Sequence, residues 1–122
     1  MSLNLLISVV DDDESVRLSL EGLIRSLGYA VRCFASGEEF LGSDAHRSSA
    51  CIVCDIQMPG MNGLELHRQL KAKGVSTPII FITAYADESV RMRAMNGGAR
   101  CFLKKPFDAA ALIDCITVSV PN

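Results

Sequence analysis

The stretch Cys51-Ile52-Val53-Cys54-Asp55-Ile56-Gln57-Met58-Pro59-Gly60-Met61-Asn62-Gly63 sets one carboxylate, Asp55, at the end of an apolar run. A proline, two glycines and an asparagine follow it. Such a pattern is a buried strand delivering one acid to its carboxyl end, with a turn beyond. In an open α/β sheet, ligands bind at that edge. Asp11, Asp12 and Asp13 follow another apolar run, Thr83 ends a third, and Lys105 stands just past a fourth. Taken singly, each has a plain role: a cap, a strand-terminal hydroxyl, a solvated lysine. Gathered at one edge, three or four carboxylates repel one another unless a cation neutralises them. Mg²⁺ suits such a site, because it takes oxygen ligands from few carboxylates and keeps several waters. A lysine and a hydroxyl facing the acids, with no His or Cys nearby, point to an anionic ligand such as a phosphoryl group. The metal and Lys105 would neutralise its oxygens while Thr83 hydrogen-bonds one of them. Alternatively, one carboxylate is itself the acceptor, as aspartyl-phosphate chemistry requires.

The elements that must position these residues alternate regularly. Residues 5–10 form an apolar run broken only by Ser8, suited to a strand covered on both faces. Val16, Leu20, Leu23, Ile24 and Leu27 make one helical stripe, capped by Asp13 and stopped by Gly28. Residues 29–34 predict a second strand, whose Arg32 suits an edge. Ser36-Gly37-Glu38-Glu39 is a capping box opening a short helix with Phe40 and Leu41, and residues 42–49 read as a polar loop. After the strand ending at Asp55, Asn62 caps a helix with Leu64, Leu66 and Leu70 that ends at Gly74. Residues 78–83 predict a fourth strand, and residues 87–96 a helix with Val90, Met92, Ala94 and Met95, stopped by Gly97-Gly98. Residues 101–103 are a short fifth strand, and Asp108 caps a last helix with Leu112, Ile113, Ile116 and Val120. Five strands alternating with five helices predict a flavodoxin-like, doubly wound α/β fold, (βα)5, with a parallel sheet. The first, third and fourth strands are the most apolar and belong in its middle. The order 2-1-3-4-5 satisfies this with right-handed crossovers.

Composition narrows the class. At 122 residues the chain is read as a single domain over 1–122 with room for a core. Its 49% hydrophobic content excludes disorder, and a net charge of −2 with scattered Lys and Arg offers no footprint for nucleic acid or an anionic membrane. No apolar run nears the ~20 residues of a membrane span. Met1-Ser2-Leu3-Asn4 has no basic region ahead of apolar residues, so no leader is expected and the protein is placed in the cytoplasm. Five cysteines (Cys33, Cys51, Cys54, Cys101, Cys115) make an odd count. Cys51 and Cys54 form a C-x-x-C, but it lies inside a strand run without a second pair, so both are read as core. His46 and His67 are read as solvated.

Together, Val9-Val10-Asp11-Asp12, Asp55-x-x-Met58-Pro59 with Gly63, Thr83-Ala84 and Lys105-Pro106-Phe107 resemble the response-regulator receiver domains of bacterial two-component signalling. The resemblance covers essentially the whole chain. Residues 81–87 look closest to receivers that precede a LuxR-type helix-turn-helix output domain. The resemblance implies that Asp55 accepts phosphorus from the phosphohistidine of a sensor histidine kinase, so the domain catalyses only its own phosphorylation and dephosphorylation. It implies that Asp12, Asp55 and the Gln57 carbonyl bind Mg²⁺, with Asp11 acting through water, and that Thr83 and Lys105 meet the phosphoryl group. The switching aromatic would be Phe102, and the Lys105-Pro106 bond would be cis. A homodimer on phosphorylation would use the face of the fourth helix, fifth strand and fifth helix. Any DNA contact would come only through an output domain that this stretch does not contain.

Two other classes compete. Asp11-x-Asp13-x-Ser15 resembles the nucleophile loop of haloacid-dehalogenase-type phosphatases, with Asp11 as nucleophile and Asp13 as acid. Those enzymes need a further acidic pair late in the chain, where only Asp108 and Asp114 follow Lys105. A flavodoxin-like cofactor module would need a hydroxyl- and Gly-rich loop after the first strand. The four acids there would repel a flavin phosphate.

Overall fold

The apolar runs assemble into a five-stranded parallel sheet in the order β2-β1-β3-β4-β5. Its strands are β1 (Leu6–Val10), β2 (Ala30–Phe34), β3 (Ser49–Asp55), β4 (Ile79–Thr83) and β5 (Cys101–Lys104). The structure, a computed structural model, describes residues 5–121; residues 1–4, read above for a leader, lie outside them. Every residue of β4 is buried, whereas β2 at one edge exposes Arg32 and β5 at the other has no buried residue. The two edge strands are thus the least buried of the five.

Between the strands run α1 (Glu14–Ser26), α2 (Gly37–Gly42), α3 (Ala45–Ser48), α4 (Gly63–Ala72), α5 (Glu88–Asn96) and α6 (Ala109–Ser119). The expected caps Asp13, Ser36, Asn62 and Asp108 all form, and Asp87 caps α5 as well: their side chains accept the N–H groups of Ser15, Glu39, Glu65, Ala110 and Val90 in turn. Each answers a donor that the helix start leaves unpaired. Strand side chains alternate between two cores. Ile7, Val9, Val53, Ile80 and Ile82 pack with Leu20 and Ile24 of α1 and Leu112 and Ile116 of α6. Val10, Ile52, Cys54 and Phe81 pack on the other face with Phe40, Leu66, Leu70 and Ala94. Each fully buried side chain of this size stabilises the fold by about 1.5–3 kcal/mol. Cys51 and Cys54 fall in opposite cores, so they cannot share a metal.

Two expectations are corrected. Residues 42–49 are not a plain polar loop, because α3 buries Ala45 and His46 and β3 already begins at Ser49. Ser49 hydrogen-bonds Ser8 (Oγ to Oγ 2.6 Å), which explains the polar interruption of β1. The histidines are not solvated either: His46 and His67 are 7% and 8% exposed. Their rings pack edge-on, His46 at 6.1 Å from Phe40 and His67 at 5.8 Å from Phe81, so each serves as an aromatic wall of the core. Burial holds His67 below its ordinary value.

The turn after Asp55 depends on one glycine. Gly63 opens α4 and donates its N–H to the Ile56 carbonyl at 2.9 Å. A Cβ on Gly63 would collide with the Asp55 carbonyl oxygen, which is backbone and cannot yield cheaply. Gly22, inside α1, has nothing within 4 Å of such a Cβ. Gly63→Ala should therefore cost about 2 kcal/mol by overpacking, while Gly22→Ala should gain up to about 1 kcal/mol of helix propensity. Denaturant unfolding checks both, and equal effects at the two positions would contradict the close approach.

Candidate functional site

The carboxyl ends of β1, β3, β4 and β5 bring the expected residues to one edge. Asp11 follows β1 with its carboxylate fully buried, held by the Asp13 N–H at 2.9 Å. Asp55 ends β3, is 4% exposed, and takes the Gln57 N–H at 3.3 Å. Lys105 lies just past β5, with its N–H on the Thr83 carbonyl at 2.8 Å. That anchor turns its side chain back over the sheet, where Nζ donates to Asp11 Oδ2 at 2.8 Å and to Asp55 Oδ2 at 3.2 Å. The Lys105-Pro106 bond is cis, as the resemblance implied.

Asp12 is exposed, yet Asp11, Asp12 and Asp55 each offer an oxygen within 4.8 Å of the others. These are hard oxygen donors with net negative charge even after Lys105 is counted, so the set fits a small divalent cation. Thr83 is fully buried and its Oγ1 accepts the Tyr85 N–H at 3.1 Å. Phe102 is the second residue of β5, paired in register with Phe81. Thr83 lies two residues beyond Phe81, so Thr83 and Phe102 share one sheet face a single pleat apart.

The electrostatics are unequal. Burial, then the charge of Asp11, pushes the Asp55 carboxyl above its ordinary value, and Lys105 offsets only part of this. For Lys105, burial pulls the ammonium down, but the hydrogen bond to Asp11 and the charges of Asp55 and Asp11 outweigh it and raise it. Asp13 is held low by Ser15, whose hydroxyl and N–H both donate to its Oδ1. With that oxygen occupied in capping α1, Asp13 is poorly placed as the acid of a phosphatase.

Two supports escaped the sequence reading. Arg17 Nη1 donates to the Asp11 carbonyl at 2.7 Å, clamping the β1–α1 turn. Glu38 accepts the Met61 N–H at 3.1 Å and so holds the loop beyond Asp55. Arg17 had a signal, being one turn into the helix that follows Asp11. Glu38 had none, since it acts on a loop 23 residues away.

The sequence profile of the response regulator receiver domain matches residues 7–117, and the chain belongs to that family. Receivers of two-component response regulators signal through phosphorylation and take Mg²⁺ at an acidic pocket of the kind seen here. The transcriptional regulatory protein FixJ of Azorhizobium caulinodans is 41% identical over 114 residues, which cover 93% of this chain and 54% of that protein. The response regulator protein TodT of Pseudomonas putida is 40% identical over 115 residues, covering 93% and 50%. The structure of the response regulator StyR superposes with a TM-score of 0.89 at 43% identity, covering 97% of this chain and 60% of that one. The chain thus spans about half the length of the curated relatives it matches. Among the described residues, no helix is long and apolar enough to cross a membrane.

The raised Asp55 value carries a sign. A carboxyl that titrates above its ordinary 3.8 in the folded chain favours folding when protonated, and that contribution is lost as pH rises through the folded value. Asp55→Asn removes the charge and keeps the shape. In metal-free buffer at pH 7 the variant should melt higher than the native chain, and the gap should narrow towards pH 4. A native chain at least as stable as the variant at pH 7 would contradict the assignment.

Proposed function

We propose that Asp55 is the phosphoacceptor of this receiver and that a sensor histidine kinase is the donor. The observation that carries this is that Asp55 is the last residue of β3 itself, buried in the middle of the sheet and 3.2 Å from the Lys105 ammonium. A bond forms between an Asp55 oxygen and phosphorus as the bond from phosphorus to the kinase imidazole breaks, and that electron pair stays on the imidazole. Lys105 neutralises an oxygen of the transferred group. The Thr83 hydroxyl already accepts from Tyr85, which leaves its own hydrogen to donate to another. Asp11, Asp12, Asp55 and the Gln57 carbonyl would hold Mg²⁺, which supplies charge neutralisation at the phosphoryl oxygens.

The output face would be α5, β5 and α6. Two features support it. α5 buries only Ala94 and leaves Met92 51% exposed, and Tyr85 in the loop before it is 65% exposed. Inward movement of Thr83 towards the phosphoryl group would open space on the sheet face it shares with Phe102, which would follow. The face would then close as a homodimer, and in the whole protein a transcriptional output domain would reach DNA.

Acetyl phosphate with Mg²⁺ should add one phosphoryl group by intact mass. Asp55→Asn should add none, while Asp11→Asn should keep measurable labelling at Asp55. Labelling of Asp11 in the native chain would overturn the assignment. Beryllofluoride should raise the solution mass of native protein to that of a dimer. Thr83→Ala should still accept phosphate yet stay monomeric with beryllofluoride; equal dimerisation would break the proposed route.

A further inference from the structure

Cys101 opens β5 and Cys115 lies in the second half of α6, and their sulfurs are joined. Their Cα atoms are 6.3 Å apart, inside the 4.4–6.8 Å span of disulfides. We propose that Cys101 and Cys115 are a reversible dithiol–disulfide modification site that tethers the edge strand β5 to α6. This goes beyond phosphoryl transfer and does not depend on it.

The location explains what the bond would do. β5 has four residues, none buried, and pairs only with β4. α6 anchors itself through Leu112 and Ile116. A covalent link therefore adds restraint where strand packing is thinnest, and both cysteines remain partly exposed to a small oxidant. The other thiols are poor competitors. Burial pushes Cys51 up to about 12 and Cys54 well above its ordinary value, and Cys33 is also raised by burial, on the opposite edge strand.

A low-molecular-weight disulfide such as oxidised glutathione is the oxidant required. One protein thiolate attacks a sulfur of that disulfide and expels one glutathione thiolate. The second protein thiolate attacks the mixed disulfide at the protein sulfur and expels the other. The protein loses two electrons and two protons, and the small disulfide gains both. Where glutathione is kept reduced, such pairs are typically transient and sensing rather than structural.

The test equilibrates the chain across glutathione buffers from reducing to oxidising, then alkylates and maps each thiol. Oxidation should protect Cys101 and Cys115 together and leave Cys33 open to alkylation. Closure should slow amide exchange in β5 and α6 and raise the melting midpoint by roughly 10 °C, as expected for a loop of this length. Dithiothreitol should reverse both, Cys115→Ser should show neither, and Cys33→Ser should behave as native. The proposal is overturned if the pair stays reduced in oxidised glutathione. It is equally overturned if Cys33 enters the bond, or if closure leaves β5 and α6 exchange unchanged.

Discussion

One ammonium between two buried carboxylates is the constraint on which this receiver depends. Asp11 and Asp55 are 0% and 4% exposed, and two like charges so close repel by about 4 kcal/mol at 4 Å with an effective dielectric of about 20. Lys105 reaches both. It arrives from positions 94 and 50 residues distant, so the pairing exists only when β1, β3 and β5 are in order. The backbone bond from Lys105 to Thr83 sets its direction. Three charged groups with a net charge of −1, and more once Asp12 is added, leave the edge attractive to a cation. They also leave a lysine that can turn from a carboxylate to a phosphoryl oxygen without travelling.

That arrangement limits the energy available for switching. A shift from 1:99 to 99:1 needs about 5.5 kcal/mol of differential stabilisation. Lys105 is already bonded to Asp11 and Asp55, so under the proposed mechanism a bond to phosphate would replace existing bonds rather than add to them. Thr83 is different, because its hydroxyl proton has no acceptor among the described residues. One charge-assisted hydrogen bond of about 1.5–3 kcal/mol moves the equilibrium by roughly 10- to 150-fold. The remainder would have to come from association on the α5–β5–α6 face, where Met92 of α5 stands uncovered.

Much of this was legible in the sequence because it rests on local rules. The apolarity of each run put the first, third and fourth strands in the middle of the sheet, and helix starts followed from Asp13, Ser36, Asn62, Asp87 and Asp108. Asp11, Asp12, Asp55, Thr83 and Lys105 converge because parallel strands present their carboxyl ends together. What escaped was tertiary. The α3 turn carries no apolar period beyond Ala45, and its burial comes from β1 and Phe40 packing over it. His67 sits beside Leu66 and three residues from both Leu64 and Leu70, yet its polarity hid its place on the core side of α4. The Cys101–Cys115 link was invisible because spacing alone does not pair cysteines.

The most direct test is the ionisation of Lys105 itself. The chain has four lysines, so their side-chain ammonium groups can be labelled with nitrogen-15 and titrated individually by NMR in metal-free buffer. Lys105 should lose its proton above its ordinary 10.5, and Asp11→Asn should lower the value. A native Lys105 that titrates at or below its ordinary value would contradict the account.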